Sequence, residues 1–335
     1  MTSSLLAAEL HQYRPTLTGH CYRMLGSIAD ADDAVQETYV RAIRGLDQFE
    51  ARSSPKTWLH RIATRVCLDA LDHRKRRRLP IDSGPVGSVE SRLTTEPRTH
   101  WLEPVPDATV LPREAEPTEI ASLRQSVRLA FVSALQRLPP RQRAVLLLKD
   151  VLGFSSKEIA ETLEVSPAAV NSALQRARET LRPPEAEAPS PSDVAPELSP
   201  NQEALLARYV DTFHAYDVEG LVALLREDAT MSMPPYALWL RGPEDIAAWF
   251  LGPGKGCRGS RLVATQASGA PAFAQYRVDP GGGYKAWSLV VLDLKGDRIA
   301  DMVHFLDVET LFPRFSLPLR IKSELGPSGP SSSGR

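Results

Sequence analysis

The sequence predicts a multidomain chain: two all-α domains followed by an α+β domain. Three observations carry that expectation. Segments 30–78 and 118–182 place apolar residues at helical spacing beneath polar, charged faces. Beyond residue 200, two or three helical stretches give way to alternating or aromatic-rich segments, the order expected of an α+β domain. Two polar, proline-rich stretches, 80–117 and 183–200, separate these parts, and 335 residues are too many for one small domain.

The first element runs from Asp30 to Ala42. Val35, Tyr39, Ala42 and Leu46 recur at i, i+4, i+7 and i+11 and are expected to face a core. Asp33, Gln36, Glu37, Val40, Arg41 and Arg44 fall on the opposite face, with Asp30 and Asp32 adding to its negative charge. A second helix starts at Ser54-Pro55, with Leu59, Ile62, Ala63, Val66 and Ala70 as its buried stripe. It ends in His73-Arg74-Lys75-Arg76-Arg77-Arg78, a like-charged run suited to phosphate backbones or to a solubilised helix end.

The most informative stretch is Leu138 to Leu181. Ser155, with Glu158 three residues on, forms a capping box that opens a helix with Ile159, Ala160 and Leu163 on its apolar face. Glu164-Val165-Ser166 makes the turn. Ser166 suits an N-cap and Pro167 the first helical position of the next helix. Val170 and Leu174 face inward, leaving Ala168, Asn171, Ser172, Gln175, Arg176 and Arg178 outside. Asn and Gln pair with adenine edges, and Arg with guanine or phosphate. Caps, turn and outer face together read as a helix-turn-helix that places its second helix in a DNA major groove.

The linkers differ in character. Residues 80–117 hold seven prolines and little periodicity and are expected to form an extended loop. They contain Trp101-Leu102-Glu103-Pro104-Val105-Pro106-Asp107, and an aromatic in such a stretch is expected to dock. Residues 183–200 carry six prolines, four acidic residues and no basic ones, and should be flexible and partly extended.

The last domain is expected over 201–320. Helices at Glu203–Phe213 and Val218–Leu225 precede strand-like segments at 229–233, 262–268, 272–278, 286–294 and 298–306, read as a curved antiparallel sheet. Asp279-Pro-Gly-Gly-Gly283 reads as a hairpin connection needing positive φ, or as a regulatory contact. Asp211, Asp301, His304 and Asp307 are the acid–base candidates, with Tyr209, Trp239, Trp249, Trp287 and Phe305 as candidate pocket walls. No spacing among them forces chemistry, and a lone His near a strand end is more often structural. Residues 321–335, rich in Gly, Ser and Pro, are expected to be a disordered tail.

Composition narrows the classes. Net charge is only −1, so any nucleic-acid affinity must be local, the basic run being offset by acidic linkers and the acidic helix. The sequence shows no signal peptide and no apolar run long enough for a bilayer, so the expectation is a soluble, cytoplasmic protein with no membrane partner. Cys21, Cys67 and Cys257 lack metal-ligand or disulfide spacing and are expected to be buried free thiols. No metal, cofactor or enzymatic activity is expected.

DADDAVQETYVRA, then KTWLHRIATRVCLDALDHRKRR, then the helix-turn-helix resemble, in that order, a bacterial extracytoplasmic-function (ECF) sigma factor of the sigma-70 class. The resemblance covers about residues 5–182. Its first two blocks are similar to regions 2.1–2.2 and 2.3–2.4 and the third to region 4. This implies a region 2 helical bundle over 1–79 and a region 4 domain over 118–182. It implies that Asp30, Asp32, Asp33, Gln36, Glu37 and Arg41 meet the clamp helices of the largest subunit of core RNA polymerase. Promoter DNA is the other implied partner. Phe49, Lys56, Trp58, Arg61, Arg65, Arg74, Lys75 and Arg76 would melt and read the −10 element, aromatic rings stacking on unpaired bases and cations holding the strand. For Trp58, packing at the helix start is an equal reading. Ala168, Asn171, Ser172, Gln175, Arg176 and Arg178 would read the −35 element.

The order of the last domain, with its RGPEDIAAWF helix, resembles the SnoaL-like (NTF2-like) cone fold. Sigma factors carrying such an extension have a sequence similar to Trp101-Leu102-Glu103-Pro104 between regions 2 and 4. That resemblance implies that Trp101, Leu102, Glu103, Pro104 and Asp107 make an interdomain clip. It also implies that the extension tunes the sigma part in cis; whether an anti-sigma protein or a small ligand is a further partner stays open. The alternative is a conventional transcription regulator carrying a ligand-sensing or enzymatic SnoaL-like domain. The acidic helix and the aromatic-basic segment favour the sigma reading, because a simple repressor needs only its helix-turn-helix in a symmetric dimer.

Overall fold

A computed structural model describes residues 11–46, 53–72, 76–112, 116–182 and 198–322. The chain forms two compact units. The first holds the described residues within Met1–Ser83, Glu96–Glu197 and Gln266–Ala270, and the second those within Gly84–Thr95, Leu198–Thr265 and Pro271–Arg335.

The first unit is helical. Helices α1 (Arg14–Leu25), α2 (Ile28–Arg44) and α3 (Pro55–Leu71) pack as a bundle. Every residue of α1 from Leu17 to Leu25 is buried. Gly26 ends it in the left-handed conformation, φ 72°, which a side chain would strain. Ser27 and Ser54 cap α2 and α3, each hydroxyl accepting a backbone N–H of the first turn. The expected core stripes hold at Val35, Ala42, Leu59, Ala63 and Val66, while Tyr39, Leu46, Ile62 and Ala70 are only half-buried. Cys21 and Cys67 are buried free thiols in this bundle, and Cys257 is one in the second unit.

Four features of this unit were not visible in the sequence. Buried His20 and His60 lie edge to face, 5.6 Å between ring centroids. Thr64 Oγ1 donates to the His60 carbonyl and so accepts from His20 Nε2, at 2.9 Å. Burial drives the His20 pKa well below its ordinary value and that of His60 to about 4, so both rings are neutral. The other two features are buried arginines. Arg23 Nε donates to Ser126 Oγ at 2.9 Å and to the Ser126 carbonyl. Arg143 donates to the carbonyls of Met24, Gln136 and Leu138 and to Gln136 Oε1. Burial lowers both guanidinium pKa values to about 10, which leaves them charged at neutral pH.

The stretch 80–117 is less extended than expected. It contains short 3-10 turns at Pro80–Asp82 and Arg98–His100, a helical turn α4 (Asp107–Val110), and at Pro117 the start of α5 (Pro117–Ser126). Pro80 and Pro117 occupy first-turn positions, where a missing N–H is harmless, and Pro97 and Pro106 stand just before a turn. Helices α6 (Leu129–Arg137) and α7 (Pro140–Leu146) follow, and a π-turn, Leu147–Val151, continues α7. Then come α8 (Ser156–Leu163) and α9 (Pro167–Leu181). The expected linker residues 183–197 lie outside the described residues.

The second unit is α+β. Ser199 caps α10 (Pro200–Ala215) with a full capping box to Gln202, so the helix begins within the expected linker. Helix α11 (Val218–Val222) and strands β1 (Leu225–Ser232) and β2 (Trp239–Arg241) come next. They are followed by α12 (Pro243–Leu251), β3 (Arg261–Ala267), β4 (Ala270–Val278), β5 (Tyr284–Lys295), β6 (Arg298–Phe305), α13 (Val308–Arg314) and β7 (Arg320–Ile321). The sheet order is β2-β1-β6-β5-β4-β3, with β7 added beside β5. The core joins Tyr209, Phe213, Leu221, Ile246 and Phe250 of the helices to Phe273, Val290, Leu292 and Met302 of the sheet.

Three corrections follow. The sheet is mixed, because β1 runs parallel to β6, a pairing that needs the long connection between them. Strand β2 is not legible in the sequence, because three residues are too short to show alternation. Ile321, expected in the tail, instead pairs with Tyr284; residues 323–335 lie outside the described residues. The glycine run does make the β4–β5 turn, with φ of 97° at Gly282 and 74° at Gly283. Among the described residues no helix is long and apolar enough to cross a membrane.

Candidate nucleic-acid interface

The helix-turn-helix is built as its sequence dictates. Ser155 Oγ accepts from the Glu158 amide, while the Glu158 carboxylate accepts from the Ser155 N–H at 2.9 Å and from the Ser155 hydroxyl at 2.8 Å, the two bonds that hold its pKa below the ordinary value. Glu164 adopts φ 57°, the left-handed turn that redirects the chain into α9. Ser166 Oγ caps α9 by accepting from the Ala169 N–H. Ile159, Ala160 and Leu163 of α8 and Val170, Leu174 and Ala177 of α9 are buried.

Ala168, Asn171, Ser172, Gln175, Arg176 and Arg178 are all exposed on α9. Some already have partners. Asn171 Oδ1 accepts from Ser156 Oγ, Gln175 donates to Glu179, and Arg178 makes a two-pronged pair with Asp150 at 2.6 and 3.1 Å. Arg178 therefore braces α9 against the end of the α7 π-turn before it could reach a phosphate. Among the described residues no ion pair or side-chain hydrogen bond engages the Arg176 guanidinium, while its carbonyl accepts from Thr180 Oγ1.

The basic residues of α3 are placed differently. Lys56, Trp58 and Arg61 are half-buried and Arg65 is exposed. Arg61 pairs with Glu161 at 2.7 Å, and Arg65 with Glu164 at 2.8 Å and with the Thr162 carbonyl. Two of the three expected strand-holding cations of α3, Arg61 and Arg65 but not Lys56, are thus bonded to the helix-turn-helix inside this unit. Phe49, Arg74 and Lys75 lie outside the described residues; Arg76 is exposed. Arg77 departs from the expected phosphate-binding run. It is buried, donating to the Trp101 carbonyl and to Asp30 Oδ2 at 2.8 Å.

That pair also corrects Asp30. Its side chain is only 14% exposed and neutralised by Arg77, so it adds little to the acidic face of α2. Asp33, Gln36 and Arg41 are exposed there, with Asp32 and Glu37 half-buried. Arg41 links Glu37 at 2.7 Å and Asp69 at 3.0 Å.

The Trp101–Asp107 segment is buried throughout. Glu103 accepts from Ser27 Oγ at 2.7 Å and from Arg98 Nε at 2.8 Å, its amide donates to the Gly26 carbonyl, and Tyr22 donates to its carbonyl. Val105 and Ser268 exchange backbone and hydroxyl bonds, and Asp107 Oδ1 accepts the Gly269 N–H at 2.8 Å. Burial raises the Asp107 pKa, and the Gly269 bond opposes that rise. The segment docks with its Glu103 and Asp107 carboxylates and several of its backbone groups partnered, as burial of polar groups requires.

The second unit encloses a cavity of about 200 Å³. Trp249, Trp287 and His304, expected at a site, line it; Asp211, Asp301, Asp307, Tyr209, Trp239 and Phe305 do not. Asp301 bonds Thr230 at 2.6 Å, and burial lifts its pKa to about 7. Tyr209 belongs to the core, and Trp239 donates to the Gly84 carbonyl. Gln275, Arg277 and Leu93 line the cavity without having been expected there. Arg277 sits at the end of an otherwise apolar alternation, a signal that gave no direction.

Comparison with known proteins fits this architecture. The family models for Sigma-70 region 2, Sigma-70 region 4 and the SnoaL-like domain match residues 10–77, 128–181 and 206–302. The chain is 46% identical over 322 residues to the ECF RNA polymerase sigma factor SigG of Mycobacterium tuberculosis (strain CDC 1551 / Oshkosh), covering 93% of this chain and 84% of that relative. It is 32% identical over 170 residues to SigW of Bacillus subtilis (strain 168), 51% of this chain and 83% of the relative. The crystal structure of the M. tuberculosis ECF sigma factor SigJ superposes with a TM-score of 0.59 at 21% identity, covering 95% of this chain and all of that one, which shows the shared fold. The chain belongs to the ECF RNA polymerase sigma factors and carries a C-terminal SnoaL-like domain.

Proposed function

We propose that this sigma factor binds core RNA polymerase through the exposed face of α2 and promoter DNA through α3 and α9, and that its SnoaL-like domain tunes that activity in cis. The carrying observation is α9: a capped helix after a left-handed turn, with its apolar stripe buried and six candidate base- or phosphate-contacting residues outside. In this assignment Asp32, Asp33, Gln36, Glu37 and Arg41 meet the polymerase. Charge complementarity there sets encounter rate and orientation. Lys56, Trp58, Arg61, Arg65 and Arg76, with Phe49, Arg74 and Lys75, serve the −10 element. Ala168, Asn171, Ser172, Gln175 and Arg176, with Arg178 as a brace, serve the −35 element. Trp101, Leu102, Glu103, Pro104 and Asp107 hold the interdomain clip, and the site of action is the cytoplasm.

The SnoaL-like domain acts without catalysis in this reading. A general base must reach its proton within hydrogen-bond distance. The cavity wall offers no carboxylate among the described residues, and Asp301, whose raised pKa would suit such a base, is not part of it.

Replacing Asp33 with Lys tests the polymerase face. The residue is exposed, so the fold should be unaffected. Co-purification of the full chain with core polymerase should fall about tenfold at low salt and the loss should shrink at high salt. Unchanged co-purification removes α2 from the docking surface.

A further inference from the structure

We infer that the cavity of the SnoaL-like domain is a binding site for a small apolar carboxylic acid, and that the wall it meets includes the segment between regions 2 and 4. The inference rests on the regulatory reading of this domain. Three observations carry it.

The first is the chemistry of the wall. Met231, Trp249, Phe250 and Trp287 make it apolar and aromatic. Its one charged group among the described residues is the Arg277 guanidinium, which lies 3.3 Å from the Trp287 ring centroid. Stacking of this kind fixes the plane of the guanidinium while leaving its N–H edge free to donate. One terminal nitrogen contacts Cys257 Sγ at 3.1 Å, and buried Nε has no hydrogen-bond partner. Among the described residues no ion pair neutralises Arg277. A planar cation at an apolar wall selects a carboxylate, which it can bind with two parallel bonds.

The second is His304. It is 6% exposed, lines the cavity, and its Nε2 lacks a partner. Burial, and then the charge of Arg277, lower its pKa to about 4, so it stays neutral and adds no competing charge. A buried ring nitrogen without a partner is costly unless something polar reaches it. Gln275, by contrast, is spent, its amide held by Ser260 and Ser288. Arg277 and His304 are therefore polar groups of the wall left open to a ligand, and a volume of about 200 Å³ suits a compact molecule.

The third is Leu93. It comes from residues 84–95, between regions 2 and 4 in the sequence, and lines the same cavity. This segment is tied along the cavity's own unit. The Gly87 N–H donates to the Trp239 carbonyl, Ala237 donates to the Thr94 carbonyl, and Thr95 bridges Tyr236. The Gly87 backbone lies so close to Leu238 that a Cβ there would approach its Cδ1 to 2.3 Å. A ligand touching Leu93 thus adds binding energy only when the segment is seated, and by linkage it favours the seated state.

The test uses the full chain without polymerase or DNA, so its failure leaves the sigma reading untouched. Benzoate, phenylacetate and cyclohexanecarboxylate are titrated beside their primary amides by calorimetry, and hydrogen exchange is followed at Gly87. At least one acid should bind ten or more times tighter than its amide and slow exchange at Gly87. Arg277→Gln should abolish that preference, and Arg277→Lys should keep part of it. If no acid binds, if acids and amides bind alike, or if Arg277→Gln keeps the preference, the site is not one for carboxylic acids. If an acid binds and exchange at Gly87 is unchanged, the segment is not coupled to the cavity.

Discussion

Arg143 shows how a single residue can organise a helical unit. Its guanidinium serves three backbone carbonyls and one side-chain amide oxygen, on the α1 end and the α6–α7 connection. Removing it strands several buried acceptors, each costing about 1–3 kcal/mol. Arg143→Ala should therefore lose about 3 kcal/mol or more in urea unfolding, whereas exposed Arg141→Ala should change little. Equal, small losses would show that water replaces the guanidinium. In the sequence Arg143 looks like any surface base, because its partners lie up to 119 positions away. Arg23 and Arg77 were hidden for the same reason. The outer face of α9 was legible, since its caps and apolar stripe are local. There, Gln175→Ala with Arg176→Ala should reduce discrimination of the −35 sequence by about 1–3 kcal/mol per lost paired contact. Competition binding against mutated promoters reads this directly, and undiminished preference would move recognition off α9.

The helices were readable because capping residues and 3.6-residue spacing are written in adjacent positions. Strands β3 to β6 were readable to within a few residues, from alternation and the glycine turn. The parallel β1–β6 pairing and the two-residue β7 were not, because register between distant strands is settled by packing. Element packing also sets a pH response. His20 and His60 sit between α1 and α3, with Phe154 edge-on to His60 at 6.3 Å. Both have folded pKa values below the unfolded 6.5, so the stability they permit is full above that value and is lost as pH falls toward about 4. The other charged groups near them, Arg23 and Lys56, act in the same direction. In the second unit His304 follows the same sign, while Asp301, raised to about 7, opposes it by favouring the fold as pH falls from 7 toward its ordinary range. The melting temperature of the full chain should therefore drop between pH 6.5 and 4.5, and His60→Gln should flatten part of that drop. A constant melting temperature across the window would contradict the buried neutral pair.

At the scale of the molecule, the sequence carried the order of the parts: a region 2 bundle, a helix-turn-helix and a SnoaL-like domain. It did not carry where the connecting stretch 80–117 goes. That stretch divides between the two compact units, residues 84–95 with the second and its later part with the first, because its polar groups find partners in both. Nor could it show that Arg61 and Arg65, expected on DNA, are bonded to Glu161 and Glu164. These pairs are at least partly exposed and worth about 1 kcal/mol or less each, weak enough for a phosphate strand to displace under the proposed −10 assignment. The central claim is that this whole chain is a working initiation subunit. The most direct measurement supplies the full chain to bacterial core RNA polymerase on a library of promoter fragments and maps the start sites. The account predicts initiation from defined starts preceded by one shared −35 sequence, lost with Gln175→Ala and Arg176→Ala. No binding to core polymerase, or transcription without defined starts, would contradict it.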